Sequence, residues 1–411
     1  MDFNQFLNHG IGSVGDLPIP FDTVLNISGL VIVLTFVFLK VSWKESIFIK
    51  KEIFIEVKQS IVGKIFGWLL LSLLILPGLI SDENANTSVA PLILWVFFWI
   101  GVPVLGLFFG DVYAKFNPLD IYKTSNSNPK SVYVATTLFL GLTWFELVWN
   151  KPGNPTHIGV VFLILLFITF ISKFLLQKAS IEVDPLHLLH HLYSKLRVTI
   201  SKPVFKNMLE NISNLSNLKG MEYFILLMIG TVTYDGLRGT TYWRNLFGSS
   251  VLDIGFSTLA FLSINLVVIL SYRFACWFAI KVSGERKNLN EVSLLFGHTM
   301  LPIAFAYHVT HYLSLLLYES QSLIFRLNDP YGLGWNLFNV NEVSINYFLS
   351  PITLWTIQVF VTLAGHMLSV VLAHDLAVKL FGHQQSDKTQ YVFLLITVGL
   401  TLQALFVLSV P

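Results

Sequence analysis

The stretch GHTMLPIAFAYHVTHYLSLLLYE, residues 297–319, sets three histidines, His298, His308 and His311, inside an otherwise apolar run. A helix needs about 20 mostly apolar residues to cross a hydrocarbon core, and this run is long enough. Ionisable side chains in such a run are costly. They face a bundle interior or a polar cavity rather than lipid, and they mark function. The fold class therefore turns on whether the chain supplies more helices of the same kind.

Composition says that it does. Of 411 residues, 54% are hydrophobic and 12% are charged, against about 25% charge in soluble domains. The mean hydropathy is +0.67. So few charges cannot coat a water-facing surface, and a lipid bilayer is the natural solvent. The 35 Phe and 10 Trp suit lipid-facing and interfacial positions. A net charge of +2 with no basic domain argues against nucleic acid as a partner. The single cysteine, Cys276, excludes an internal disulfide and a cysteine-based metal cage. The opening residues, MDFNQFLNHGIGSVGDLPIP, lack the basic start and apolar core of a signal peptide.

Ten segments read as spans, near 22–40, 61–80, 89–109, 131–149, 157–177, 220–234, 251–273, 292–317, 350–378 and 390–410. The expected fold is all-α, a polytopic transmembrane helix bundle of about ten spans, forming one integral membrane domain over 1–411. The sixth segment is short and runs into TYDGLRGTTYWRNLFG, as a helix ending in a protein-lined cavity does. The ninth is long enough to tilt. With the N-terminus outside, all but four of the 26 Lys and Arg residues fall on the inner side. The exceptions are Lys151, Arg238, Arg244 and Arg326. This bias obeys the positive-inside rule. It places both termini outside, in a multi-pass protein of the bacterial inner membrane. The inner loop 178–219 mixes apolar and basic residues and reads as a cytoplasmic amphipathic segment on the leaflet surface.

Depth sorts the ionisable groups. At about 1.5 Å per residue, His298 falls in the inner half, while His308 and His311 fall in the outer half. The latter two are three apart and share a helix face. Pro302 between the levels frees a backbone carbonyl and kinks the helix. Asp235 and Glu146 end the sixth and fourth segments at the outer level, as Glu319 ends the eighth. Two histidines with one or two of these carboxylates suit a divalent metal ion, zinc, iron or manganese, with positions left for water. His9 and Asp16 on the N-terminal segment are placed to fold over such a site. His298, His366, His374 and Asp375 form a second polar group in the inner half. The bland alternative for each is a hydrogen bond between helices. The HLLHH run of His187, His190 and His191 is similar to a desaturase histidine box, but the companion boxes are missing, and a surface helix is expected there. Asp111 reads as a helix end before a turn at Asn117 and Pro118. Haem is disfavoured, because His298 and His311 point to different sides of their helix and only His298 with His366 could pair across two spans.

Five stretches in order along the chain carry a resemblance: HGIGSVGDLPIP (9–20), GDVYAKFNPL (110–119), TYDGLRGTTYW (233–243), FGHTMLPIAFAYHVTHYLSLLLYESQ (296–321) and GHMLSVVLAHDLAVKLF (365–381). Together they resemble a family of polytopic membrane proteins of actinobacterial type, some of which are labelled fenitrothion hydrolase. The resemblance implies a membrane-bound hydrolase acting on a phosphotriester. It carries over no catalytic residues.

Three functions compete on this reading. The first is a metal-dependent membrane enzyme with an outward-facing site, His308 and His311 holding the ion and Asp235 or Glu146 serving as base, on a small-molecule substrate. The second is a proton-coupled secondary transporter using the histidines as a relay. The third is a subunit that joins a partner membrane subunit in a larger complex.

Overall fold

The computed structural model describes residues 21–46, 60–80, 87–119, 132–176, 180–198, 208, 210–212, 215, 218–340 and 344–409. His9 and Asp16 lie outside the described residues. Among the described residues the chain is helical, with no strand. In chain order the helices are α1 (Phe21–Ser42), α2 (Ile61–Ile75), α3 (Pro77–Ile80), a π-helical stretch (Leu92–Gly101) continuing into α4 (Val102–Phe109), α5 (Val112–Phe116), α6 (Tyr133–Leu147), α7 (Pro155–Leu175), α8 (Ser180–Val183) and α9 (Pro185–Ser194). They continue as α10 (Met221–Gly239), α11 (Thr241–Phe247), α12 (Ile254–Ser283), α13 (Leu289–Thr299), α14 (Leu301–Tyr318), α15 (Leu323–Leu327), α16 (Pro351–Phe381), α17 (His383–Thr389) and α18 (Tyr391–Ser409).

Seven of these elements are long and apolar enough to cross a membrane: Asp22–Ser42, Ile61–Ile80, Leu92–Phe109, Pro155–Leu175, Ile254–Ser283, Pro351–Phe381 and Tyr391–Leu408. The pair α13 and α14 makes an eighth if its 43° bend is one broken span. The bend falls where Pro302 removes an N–H and crowds the carbonyl of His298. Two of the ten expected segments differ from the rest. α6 has only 15 residues. α10 carries Glu222, Asp235 and Arg238 within 19 residues, and most of its side chains are buried in protein.

Local sequence fixes the ends. Asn154 and Asp253 cap α7 and α12 by accepting from His157 N and Phe256 N. Ser350 caps α16 through Thr353 N, with Pro351 at its first position. These side-chain oxygens satisfy N–H groups that a helix start leaves without partners.

The chain divides into two compact units. The first holds residues 60–197 and 312–348 of those described, and the second holds 21–46, 198–311 and 349–409. In the first unit, α2 packs on α5 and α7. A Cβ at Gly67 of α2 would overlap the carbonyl of Phe116, so this crossing requires glycine. Trp95 and Trp99 of the π-helical stretch are buried and stack on Phe145 and Phe139. The helix expected to lie on the leaflet surface is instead enclosed. Nine of the ten residues of α9 are buried, against α4, α5, α6 and α8.

In the second unit, α10 packs on α12 and α13, and α16 packs on α1, α13, α17 and α18. The register of α16 on the α13–α14 pair is antiparallel and legible from three contacts. Gln358 Nε2 donates to Thr310 O at 2.7 Å. A Cβ at Gly365 would stand 2.7 Å from Pro302 O. Ser369 Oγ donates to Thr299 O at 2.6 Å.

Candidate functional site

The side chains that bear chemistry in the second unit sit on α10, α14 and α16. Asp235 lies in the last turns of α10, where the apolar run gives way to TYDGLRG. His311 of α14 meets it, with Nε2 2.7 Å from Asp235 Oδ2. Arg238, three residues on, stands 3.7 Å from Asp235 Oδ1. The His311 and Asp235 side chains are 11% and 5% exposed. The carboxylate thus has the imidazole at one oxygen and the guanidinium near the other.

His308 is buried one turn before His311 on α14. Among the described residues, no group of three or more His, Cys, Asp or Glu is gathered to hold a metal ion. Asp235 meets the His311 ring nitrogen directly, in a hydrogen bond. Glu146 lies buried on α6 of the first unit, whereas Asp235, His308 and His311 belong to the second. Glu319, in the first unit, faces Arg326 at 3.6 Å. The arrangement of the described side chains therefore gives a two-histidine, carboxylate metal centre no support.

The inner group also resolves into separate sites. Asp375 accepts from Trp43 Nε1 at 3.0 Å and from Ser46 Oγ at 2.9 Å. His374 Nε2 lies 3.2 Å from Trp43 O, and its Nδ1 lies 3.2 Å from Gln390 Nε2. With Gln390 donating to Nδ1, the ring is a neutral tautomer that donates from Nε2. Together with the Lys40–Asp387 pair at 3.3 Å, these bonds tie the end of α1 to α16, α17 and the start of α18. The two neighbours share Trp43, through its carbonyl and its indole nitrogen, and add Gln390 and Ser46 respectively.

His366 is different. It is fully buried, and its Nδ1 donates to Thr362 O at 2.8 Å. Among the described residues its Nε2 has no hydrogen-bond partner, and neither has Thr362 Oγ1 or Gln358 Oε1. The Tyr307 ring lies 5.4 Å away. Gln358, Thr362, His366 and Ser369 follow one face of α16 at helical spacing and together cover about 16 Å of its length. His298 is buried in the last turn of α13. The polar groups of this unit are thus strung along helices at successive depths.

A second cluster lies in the first unit, where Asp111 reads from sequence as a helix end and HLLHH as a surface helix. Asp111 does start α5, with Oδ1 accepting from Ala114 N at 3.1 Å. Its Oδ2 meets His191 Nδ1 at 2.9 Å. Asp184 caps α9 through Leu186 N and His187 N, and accepts from Tyr113 Oη and Asn117 Nδ2. The Tyr113 ring lies on His190, centroids 4.8 Å apart, and His190 Nε2 donates to Phe98 O at 2.7 Å. Burial alone would raise the Asp111 carboxyl, but the His191 hydrogen bond and nearby His187 hold it well below the usual range. Burial pushes His190 down to about 4 and also lowers His191, against the pull of Asp111. The sequence did carry a signal: His187, His191 and Lys195 recur every fourth residue, which puts them on one helix face.

Compared with protein-family models, with curated proteins and with solved structures, the chain matches none.

Proposed function

We propose that the chain is a proton-coupled secondary transporter in which Asp235 and His311 bind the transported proton. The observation that carries this reading is the polar face of α16. Gln358, Thr362, His366 and Ser369 are all buried, and they run inward from the level of Thr310, next to His311, to the level of Thr299. Groups spread over depth suit stepwise proton movement, whereas a hydrolytic centre needs its donors gathered at one point. Histidine titrates near neutral pH, which fits the task. Ten spans, both termini outside and a bacterial inner membrane are part of the same proposal, supported by the Lys and Arg distribution.

A second reading is a membrane-embedded hydrolase with an outward-facing site. The 2.7 Å Asp235–His311 bond favours it, since a carboxylate that fixes an imidazole is also how general bases are oriented. The family resemblance supports it independently. In this reading His308 and His311 hold a zinc, iron or manganese ion, and Asp235 or Glu146 is the base.

Purified protein in liposomes, offered a panel of labelled small solutes with and without an imposed pH gradient, separates the two. Accumulation that needs the gradient and disappears in Asp235→Asn supports transport. Conversion of a phosphotriester in detergent, with no gradient-driven uptake, replaces transport by the hydrolase.

A further inference from the structure

The Asp111–His191 cluster has no part in the proposed transport, and its geometry has its own chemistry. Asp111 is held at both oxygens, one by the α5 N-terminus and one by His191 Nδ1. The carboxylate therefore fixes the imidazole with its hydrogen on Nδ1, which turns Nε2 into a proton acceptor. The His191 side chain is 22% exposed, so the ring is not sealed in the core. Positive charge surrounds it. Lys195 follows one turn later and acts electrostatically on both His191 and Asp111. The Arg197 guanidinium lies against Gly110, where a Cβ would come within 3.4 Å of its Nη1. One turn before His191, the His187 ring stands 6.5 Å away. His187 is 8% exposed, and its Nδ1 is buried without a hydrogen-bond partner among the described residues. Among the described residues, His190 on the same helix, Glu182 just before it, and Tyr113 and Asp184, which bond to one another, are further charged or titratable groups at α9.

We propose that Asp111, His187, His191, Lys195 and Arg197 form a binding site for a phosphate group that still carries a proton, either free phosphate or a phosphate monoester on a lipid headgroup. Lys195 and Arg197 supply the charge that an anion needs. His191 Nε2 accepts the hydrogen of the P–OH group. His187 Nδ1 gains the partner that the protein does not give it. Sulfate has the same size and charge but no hydrogen to donate at neutral pH, and a phosphodiester has none either. Both should be rejected.

The test uses the full chain in dodecyl maltoside micelles, which contain no phosphate. Calorimetric titration at pH 7 with inorganic phosphate and with sulfate should show phosphate binding at least tenfold tighter. Lys195→Gln should weaken both anions about fivefold and keep the preference. Asp111→Asn is the decisive variant. An asparagine still caps α5, but its amide can donate to Nδ1 and move the imidazole hydrogen to Nε2. The preference should then fall below twofold or reverse, which a purely structural role would not produce. Mixed micelles with phosphatidic acid or phosphatidylglycerol, read by native mass spectrometry, identify the source. One retained phosphatidic acid that displaces phosphate assigns a lipid headgroup, and phosphate binding alone assigns a soluble ligand. Equal binding of phosphate and sulfate, binding of neither phosphate nor phosphatidic acid, or an unchanged preference in folded Asp111→Asn each overturns the proposal.

Discussion

Asp235 Oδ2 and His311 Nε2 meet at 2.7 Å and join α10 to α14 by a buried hydrogen bond. Removing one partner of such a pair leaves the other with an uncompensated demand, which costs about 3–5 kcal/mol. Asp235→Asn keeps the shape and can still accept a hydrogen bond, so it should fold. Its gradient-driven solute uptake should fall more than tenfold. His311→Ala should lose uptake as well, and should also melt at a lower temperature in detergent. Equal uptake by wild type and Asp235→Asn would remove the pair from the mechanism.

Gly365 lies where α16 crosses the start of α14. A Cβ there would overlap that of Ala306 and approach Pro302 O to 2.7 Å. Overpacking of this kind costs about 1–3 kcal/mol. Gly365→Ala should therefore lower the melting temperature, and Ala306→Gly added to it should restore part of the loss. A double variant no more stable than Gly365→Ala would show that the Pro302 carbonyl alone limits the approach.

Asp375 holds Trp43 and Ser46 through its two oxygens. In Asp375→Ala both donors lose their acceptor, at roughly 1–3 kcal/mol for each buried group. The segment after α1 should open locally before the bundle melts. A maleimide reporter on Ser46→Cys reads this directly, because the native Cys276 is buried. Its labelling should speed up severalfold when Asp375→Ala is added. Identical labelling rates in the two backgrounds would mean that other contacts hold the segment.

Acid should weaken the first unit through His190, whose proton affinity falls from the ordinary 6.5 to about 4 because burial disfavours the imidazolium. Between those values the unfolded chain binds the proton and the folded chain does not. Stability is therefore full above about 6.5 and declines as pH drops toward 4. The loss is on the order of 3 kcal/mol. Asp111 adds to the same trend at still lower pH, since its depressed carboxyl stabilises the fold until it is protonated. Melting curves of wild type and His190→Gln between pH 7 and pH 4 check this: the variant should show the shallower decline.

The seven long apolar helices are legible in the sequence because each is a continuous apolar run. Pro302 likewise announces the break between α13 and α14. Partners were less legible. The place of His311 follows from its helix, but its bond to Asp235 comes from packing within the second unit. His374 and Asp375 were grouped with His366 because all lie on one helix, yet their partners come from Trp43, Ser46 and Gln390, which no helical spacing reveals. The Asp111–His191 pair joins residues far apart in the chain. α9 reads as a surface helix because its histidines count as polar, while in the fold nine of its ten residues are buried, His190 donates to a backbone carbonyl and His191 bonds a carboxylate.

The break at Met300 also bears on how the protein is made. α13 has 11 residues and α14 has 18, so about 16 Å and 27 Å of helix leave the ribosome in place of one uninterrupted rod. With three imidazoles and a proline among them, neither piece is a strong insertion signal of its own for the translocation channel. α16, which packs along α13 and bonds to Thr299 and Thr310, is synthesised later. Stable seating of this bent pair must therefore await the arrival of its C-terminal neighbour, and chains truncated before residue 350 should be quality-control substrates.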